Sequence, residues 1–400
     1  EPNPDGSYAI TGEKIFISAG EHDLSENIIH IVLARLPQAP AGTKGISLFI
    51  VPKFNLDDAG DCQDRNKVIC SAIEHKMGIH GNATCVLNFD GAKGYLIGPE
   101  NRGLNCMFTF MNTARIGTAV QGLAASEISF QGALSYAKER LAMRALSGAK
   151  YPDKNADPII VHPAVRSMLM TQKAYSEGGR ALAYFLAQHV DIVETSNDPE
   201  QQKISDELLA FLTPIAKAFL TESGNEAAKH GVQIFGGHGF IVEHGMEQIV
   251  RDVRISTLYE GTTEIQSLDL LARKVLKSDG KLLKNMTDLI EQFIAANQSN
   301  TVLVAYLEKL AELKQQWLSI TDSVAKKAQQ NPEEIGAVSV DYLYFSSYVV
   351  FAYLWARMAQ VADEKLSQAT QDENFYQAKL TTAKFFFQKL LHRTQSHAAA

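Results

Sequence analysis

Cysteine is scarce in this 400-residue sequence: Cys62, Cys70, Cys85 and Cys106 are the four present, with no Cys-x-x-Cys pair and no metal-ligand spacing. That pattern predicts reduced thiols in a reducing compartment, no disulfide and no metal. Clusters of basic residues are lacking too. The 38 Lys and Arg are scattered against 45 Asp and Glu, and the net charge of -7 argues against nucleic acid as a partner. The opening Glu1-Pro-Asn-Pro-Asp-Gly6 has neither an initiator Met nor the charged-then-apolar order of a signal peptide, so it reads as the middle of a longer chain. The expected location is cytoplasmic, with peripheral contact at an inner membrane left open. The most apolar stretch, 342–356, is bounded by Asp341 and Arg357 and contains Ser346 and Ser347. It reads as a packed bundle helix in preference to a membrane span.

What is abundant is apolar residue, 46% of the chain, enough for a large core and two or three domains. From Tyr8 to about Phe89 short β-branched runs alternate with Gly, Pro and Asp breaks, among them Lys14-Ile-Phe-Ile-Ser18, Ile46-Ser-Leu-Phe-Ile-Val51 and Thr84-Cys-Val-Leu-Asn-Phe89. These predict an antiparallel β-domain, a small barrel or sandwich. Apolar spacing then becomes helical. It predicts helices over about 103–146, 162–193 and 201–233, and a fourth after Glu260, together a four-helix bundle. Past 279 the helical period continues through Leu283, Met286 and Phe293, then Val302, Leu310 and Trp317, then Leu354 and Val361, with no chemical motif. The fold class is therefore α+β: a β-domain over 1–101, an all-α four-helix bundle over 102–278, and an additional C-terminal helical domain over 279–400.

One stretch carries chemistry. In Tyr259-Glu260-Gly261-Thr262-Thr263 a carboxylate sits between an aromatic and a glycine, ahead of two hydroxyls that begin a helix. Leu258 and Tyr259 are placed to desolvate Glu260 and suit it as a general base. Gly261 lets backbone approach a ligand, and the helix start favours an anion. A plain loop followed by a capped helix is the competing reading. Upstream, Gly236-Gly237-His238-Gly239 lacks the Gly-x-Gly-x-x-Gly spacing and follows a helical pattern, which excludes an NAD fingerprint.

Taken in order, Gln233-Ile-Phe-Gly-Gly-His-Gly-Phe240, the Arg251-Asp252 pair and the Tyr259-Glu260-Gly261-Thr262 loop resemble the acyl-CoA dehydrogenase family. Thr11-Gly-Glu-Lys-Ile-Phe-Ile-Ser18 resembles the family's flavin-facing strand, and Tyr136-Ala-Lys-Glu-Arg140 resembles its Tyr-Ala-x-x-Arg signature. The resemblance implies a flavoenzyme that uses FAD to dehydrogenate an acyl-CoA. Glu260 would be the catalytic base. Phe16, Ile17, Ser18, Arg140, Gln233, Gly236, Gly237, Thr262 and Glu264 would lie at the cofactor, and Thr84, Arg115 and Gly261 at the substrate. Because Leu141-Ala-Met-Arg-Ala-Leu146 replaces the family's Phe-Gly, Arg144 would share or take over the contact of Arg140. Some relatives carry the base on the first long helix, but 101–126 contains no Asp or Glu, and Ala114 stands where that base is expected. For Arg115 a helix-packing role is the alternative. The implied partners are an acyl-CoA, an electron-transferring flavoprotein as acceptor, and a second copy in a homodimer or dimer of dimers. Large bacterial members of the family carry a C-terminal extension like 279–400. An oxidase using O2 and a non-catalytic helical scaffold are the competing functions, the latter because the family's N-terminal helical domain is not in this sequence.

Overall fold

A computed structural model describes residues 1–368 and 370–400, with the side chain of Asn112 also outside the described residues. It has two compact units, 1–112 and 113–400.

The first unit is antiparallel throughout. Strands β1 (Tyr8–Ser18), β2 (Ile29–Arg35), β3 (Ile46–Pro52), β6 (Val68–Ile73) and β7 (Thr84–Ile97) form one sheet, while β4 (Phe54–Leu56) and β5 (Cys62–Arg65) pair separately. The long β7 organises it. Its first half lies between β1 and β6, with Ser18 opposite Thr84 and Ile73 opposite Cys85, and its end turns to pair Tyr95 with Ile50 of β3. Ile10, Val32, Phe49, Val51, Leu87 and Phe89 fill the core from alternate positions. Asn66 braces the sheet, its amide donating to the Pro52 and Lys93 carbonyls at 2.8 and 2.9 Å. The β-branched runs marked the main strands. β4, β5 and β6 went unmarked because their residues are largely polar or exposed: Cys62-Gln-Asp-Arg65 is exposed throughout, and in β6 only Val68 is buried.

Helices build the second unit. The first, α1 (Gly103–Glu139), begins in the first unit and ends seven residues before the expected position. Its end is fixed by the loop that follows. There the buried Asp157 accepts backbone N–H bonds from Ala145, Lys150 and Tyr151 at 2.9, 3.0 and 2.8 Å, more than a helical continuation offers this stretch. Next come α2 (Pro163–Thr195) and α3 (Pro199–Phe235), each with Pro in its first turn, and α3 capped by Asp198. A short α4 (Met246–Val253) precedes the Glu260 loop. The helix after that loop is only α5 (Thr263–Leu268), which passes into a π-helical turn, Asp269–Leu276.

α6 (Lys281–Ala296), α7 (Val304–Gln330), α8 (Glu333–Ser367), α9 (Glu373–Phe385) and α10 (Arg393–Ala399) complete the chain. Leu212, Ile215 and Phe219 of α3 share one core with Trp317 of α7 and with Phe351 and Trp355 of α8. The residues expected as a further domain therefore pack into the bundle's own core. Val302 and Val361, which continue the helical period, are exposed. α8 is long and apolar enough to cross a membrane, yet 61% of its most apolar window is buried inside the protein, as a core helix requires.

Candidate active site

Glu260 lies in the loop between a 3-10 turn, Arg254–Thr257, and α5. Its φ is +57°, a left-handed conformation that costs a residue with a Cβ about 1–3 kcal/mol and persists only where surroundings enforce it. Two buried side chains enforce it here. Gln266 of α5 donates from its amide to the Glu260 carbonyl at 2.9 Å, and Lys217 of α3 donates from its ammonium to the Gly261 carbonyl at 2.6 Å. Gly261, at φ +93°, has a backbone conformation that favours glycine, and a Cβ there would stand 2.5 Å from the Gln266 amide nitrogen and displace it. With both carbonyls held, the Glu260 backbone N–H has no hydrogen-bond partner among the described residues.

The neighbouring residues fix the rest of the turn. Tyr259 is half-buried and donates its hydroxyl to Gln121 of α1, while Leu258 is 45% exposed, so of the two residues expected to cover the carboxylate only Tyr259 is drawn inward. Thr262 caps α5, its hydroxyl accepting from the Ile265 N–H at 3.4 Å. Thr263 turns inward and donates to Glu222 of α3 at 2.6 Å. Glu264 is exposed at the helix start, where its own backbone N–H and the Thr262 hydroxyl hold its carboxyl below the usual range.

Beside this loop Arg115 is 9% exposed and donates to Asp269 at 3.1 Å. One guanidinium nitrogen thus forms a buried ion pair at the start of the π-helical turn, while Nε has no hydrogen-bond partner among the described residues. That geometry is consistent with the helix-packing alternative for Arg115.

A second cluster joins two of the sequence motifs. Tyr136 of α1 stacks on Phe235 with ring centroids 4.1 Å apart, and its hydroxyl meets His238 Nδ1 at 2.7 Å. Gly236 ends α3 with φ +61°, which suits glycine, and Gln233, Gly236 and Gly237 are exposed at the turn. Arg140 is exposed just beyond α1. Arg144 is not its equivalent. It donates to the Tyr151 carbonyl at 3.0 Å, to the Lys154 carbonyl and to Asp157 at 3.3 Å, holding its own loop together. Burial alone would raise the Asp157 carboxyl, but the backbone N–H groups and Arg144 bring it down to about 2.

In the first unit Phe16, Ile17, Ser18 and Thr84 come together across one strand pair. Ser18 faces Thr84 and Ile17 faces Cys85. Between Lys14 and Ile17, β1 has one residue more than β7, and this bulge throws Phe16 outward at φ +60°, 68% exposed. Thr84 is buried and Ser18 exposed, so the row runs from core to surface.

Sequence reasoning missed Lys217, Gln266, Glu222 and Gln121. For Lys217 there was a signal: it is the one charge in Leu208-Leu-Ala-Phe-Leu-Thr-Pro-Ile-Ala-Lys-Ala-Phe-Leu-Thr221. Burial pushes its pKa down to about 8, with the carboxylates of Glu260 and Glu222 pulling the other way.

Two family models match the chain. Residues 101–276 match the family model described as acyl-CoA dehydrogenase, C-terminal domain, and residues 286–400 match that described as acetyl-CoA dehydrogenase C-terminal like. The chain is 42% identical over 392 residues to the 3-methylmercaptopropionyl-CoA dehydrogenase of Ruegeria pomeroyi, covering 98% of this chain and 66% of that protein. It is 36% identical over 405 residues to a broad-specificity linear acyl-CoA dehydrogenase of Mycobacterium tuberculosis, covering 97% and 66%. An acyl-CoA dehydrogenase of Bacillus anthracis, solved with FAD, shares the fold with a TM-score of 0.75 at 21% identity, covering 99% of this chain and 64% of that one. The chain thus spans about two thirds of the length of the curated relatives it matches. It belongs to the acyl-CoA dehydrogenase family.

Proposed function

We propose that the protein dehydrogenates an acyl-CoA thioester between its α and β carbons, giving the trans-2-enoyl-CoA, with Glu260 removing the α-proton. The observation that carries this reading is the left-handed Glu260 turn, whose carbonyls are held from within while the carboxylate is half-exposed and the backbone N–H is open. A carboxylate so placed accepts a proton. The free N–H beside it donates to the thioester carbonyl, where negative charge develops as the proton leaves. Family membership and the acyl-CoA substrates in the relatives' names support the substrate class.

The residues present fit FAD as cofactor. Arg140 keeps an exposed guanidinium suited to a pyrophosphate while Arg144 is committed to its own loop, and Phe16 presents an outward aromatic face with Ile17 and Ser18 beside it. Gln233, Gly236 and Gly237 form an exposed turn suited to the nucleotide end, with Thr262 and Glu264 closer to the reacting end. When bound, FAD supplies a two-electron acceptor for the β-hydride. Thr84, Arg115 and Gly261 are the proposed substrate contacts, an electron-transferring flavoprotein is the proposed final acceptor, and a homodimer is the proposed assembly.

The test is anaerobic bleaching of FAD absorbance by a panel of acyl-CoAs of different chain length. Glu260→Gln keeps the shape and removes the base, so it is expected to retain FAD and to bleach at least ~10³-fold more slowly. Equal bleaching in the variant refutes the base assignment, and a full-length protein that holds no FAD returns the helical-scaffold reading to the front.

A further inference from the structure

We propose that Lys217 is a positioning residue, which together with Gln266 clamps the Glu260-Gly261 turn by its two carbonyls and so aims the Glu260 carboxylate and N–H at one ligand. The proposal rests on the assignment of Glu260 as the base. Lys217 is fully buried in a helical run that is otherwise uncharged, and a cation in such a place is retained only with compensating partners. The one hydrogen bond of its side chain among the described residues is to the Gly261 carbonyl, at 2.6 Å, across forty-four residues of sequence. The charges that face it are Glu260, Glu222 and Glu264 from the loop, α3 and α5, and Arg115 from α1. Glu222 is engaged by Thr263, and Arg115 by Asp269. The ammonium is therefore directed at the loop backbone.

Gln266 supplies the second point. It is fully buried, its amide nitrogen donates to the Glu260 carbonyl, and its Oε1 has no partner among the described residues. A group buried at that cost for a single bond to a strained turn is there for the turn. Without either donor, Glu260 is free to relax from φ +57° to an unstrained conformation, which swings the carboxylate and reverses the N–H.

Lys217→Met and Gln266→Met preserve volume and remove the donors, and each is compared with the parent and with Glu260→Gln in the FAD-loaded, full-length protein. Three quantities are read: kcat and KM for an acyl-CoA, the melting temperature, and hydrogen exchange of the 259–263 amides. Misplacement of a reacting group by about an ångström predicts a fall in kcat of ~10²-fold with KM within about threefold. Exchange at 259–263 is expected to rise about tenfold or more, with Tm unchanged or higher, since a buried cation has been replaced by an apolar side chain. A merely structural Lys217 leaves kcat and loop exchange as in the parent, and that result overturns the proposal. If Lys217→Met does not fold, Gln266→Met decides on the same two readouts. Exchange is measured without substrate, so a Glu260→Gln variant that still bleaches removes the base assignment while the loop exchange still reports on the clamp.

Discussion

At the residue scale the Glu226 carboxylate on α3 anchors α10. Arg393 of α10 donates to it through two nitrogens at 2.7 and 2.8 Å, and Tyr175 donates at 3.0 Å. Burial pushes the Glu226 carboxyl up, but Arg393, His230 and Tyr175 outweigh burial and bring it down to about 2. A carboxylate bound more tightly folded than unfolded contributes stability above its unfolded pKa of about 4.3, lost as pH falls through the folded value. Arg393→Met is therefore expected to cost about 2 kcal/mol at pH 7, the guanidinium being partly exposed and its charge partly screened. Urea titrations should show that difference shrinking between about pH 4 and pH 2, as Glu226 takes up its proton in the parent as well. A difference independent of pH assigns the loss to packing of the Arg393 stem.

The Glu260 turn was legible at this scale because aromatic-Glu-Gly-Thr is a local pattern, whole within five residues. Lys217 was not. Its role is defined by a carbonyl on a different element, and spacing along α3 says only that a charge falls among apolar residues. For Arg115 the sequence offers a cation on the first long helix but cannot show that Asp269, 154 positions away, pairs with it.

At the element scale, the crossing of α1 and α3 depends on two glycines. A Cβ at Gly122 would stand 2.3 Å from the Leu220 carbonyl oxygen, and one at Gly224 would stand 2.6 Å from the Gly122 carbonyl oxygen. Both obstacles are backbone, so neither can turn aside. Gly122→Ala is expected to destabilise by about 3 kcal/mol by forcing the helices apart. Gly117 on the same helix has open space at its Cβ, and Gly117→Ala should stabilise by about 0.5 kcal/mol through the unfolded state. Chemical denaturation of the two variants side by side checks both signs. The sequence could place these glycines on helices, but it could not say which one another backbone approaches.

For the whole molecule, the decisive element is α8, whose residues 342–356 are almost all buried among α2, α3, α7 and α9. Its composition satisfies a membrane span, and only its burial within this chain makes it a core helix. Its amides, with those of α3 over 208–221, are expected to exchange last and only through global unfolding. Fast exchange in 342–356 that leaves α3 protected would mean that this part of the chain opens independently of the bundle.

Alternation in the strands and the 3.6-residue period in the helices fixed the α+β class and the order of the elements, and the short motifs around Glu260 carried the family resemblance, because each is a property of neighbours in sequence. The short strands β4 to β6 and the true end of α1 escaped that reading. The strands lack an apolar face, and the helix end is set by the Asp157 carboxylate reaching back to backbone N–H groups six to twelve residues away. Tertiary structure alone decided that 279–400 shares the bundle's core, that Arg115 is paired, and that Lys217 and Gln266 hold the turn carrying Glu260. Each of those facts is a contact between residues far apart in the chain, formed only when burial brings their elements together.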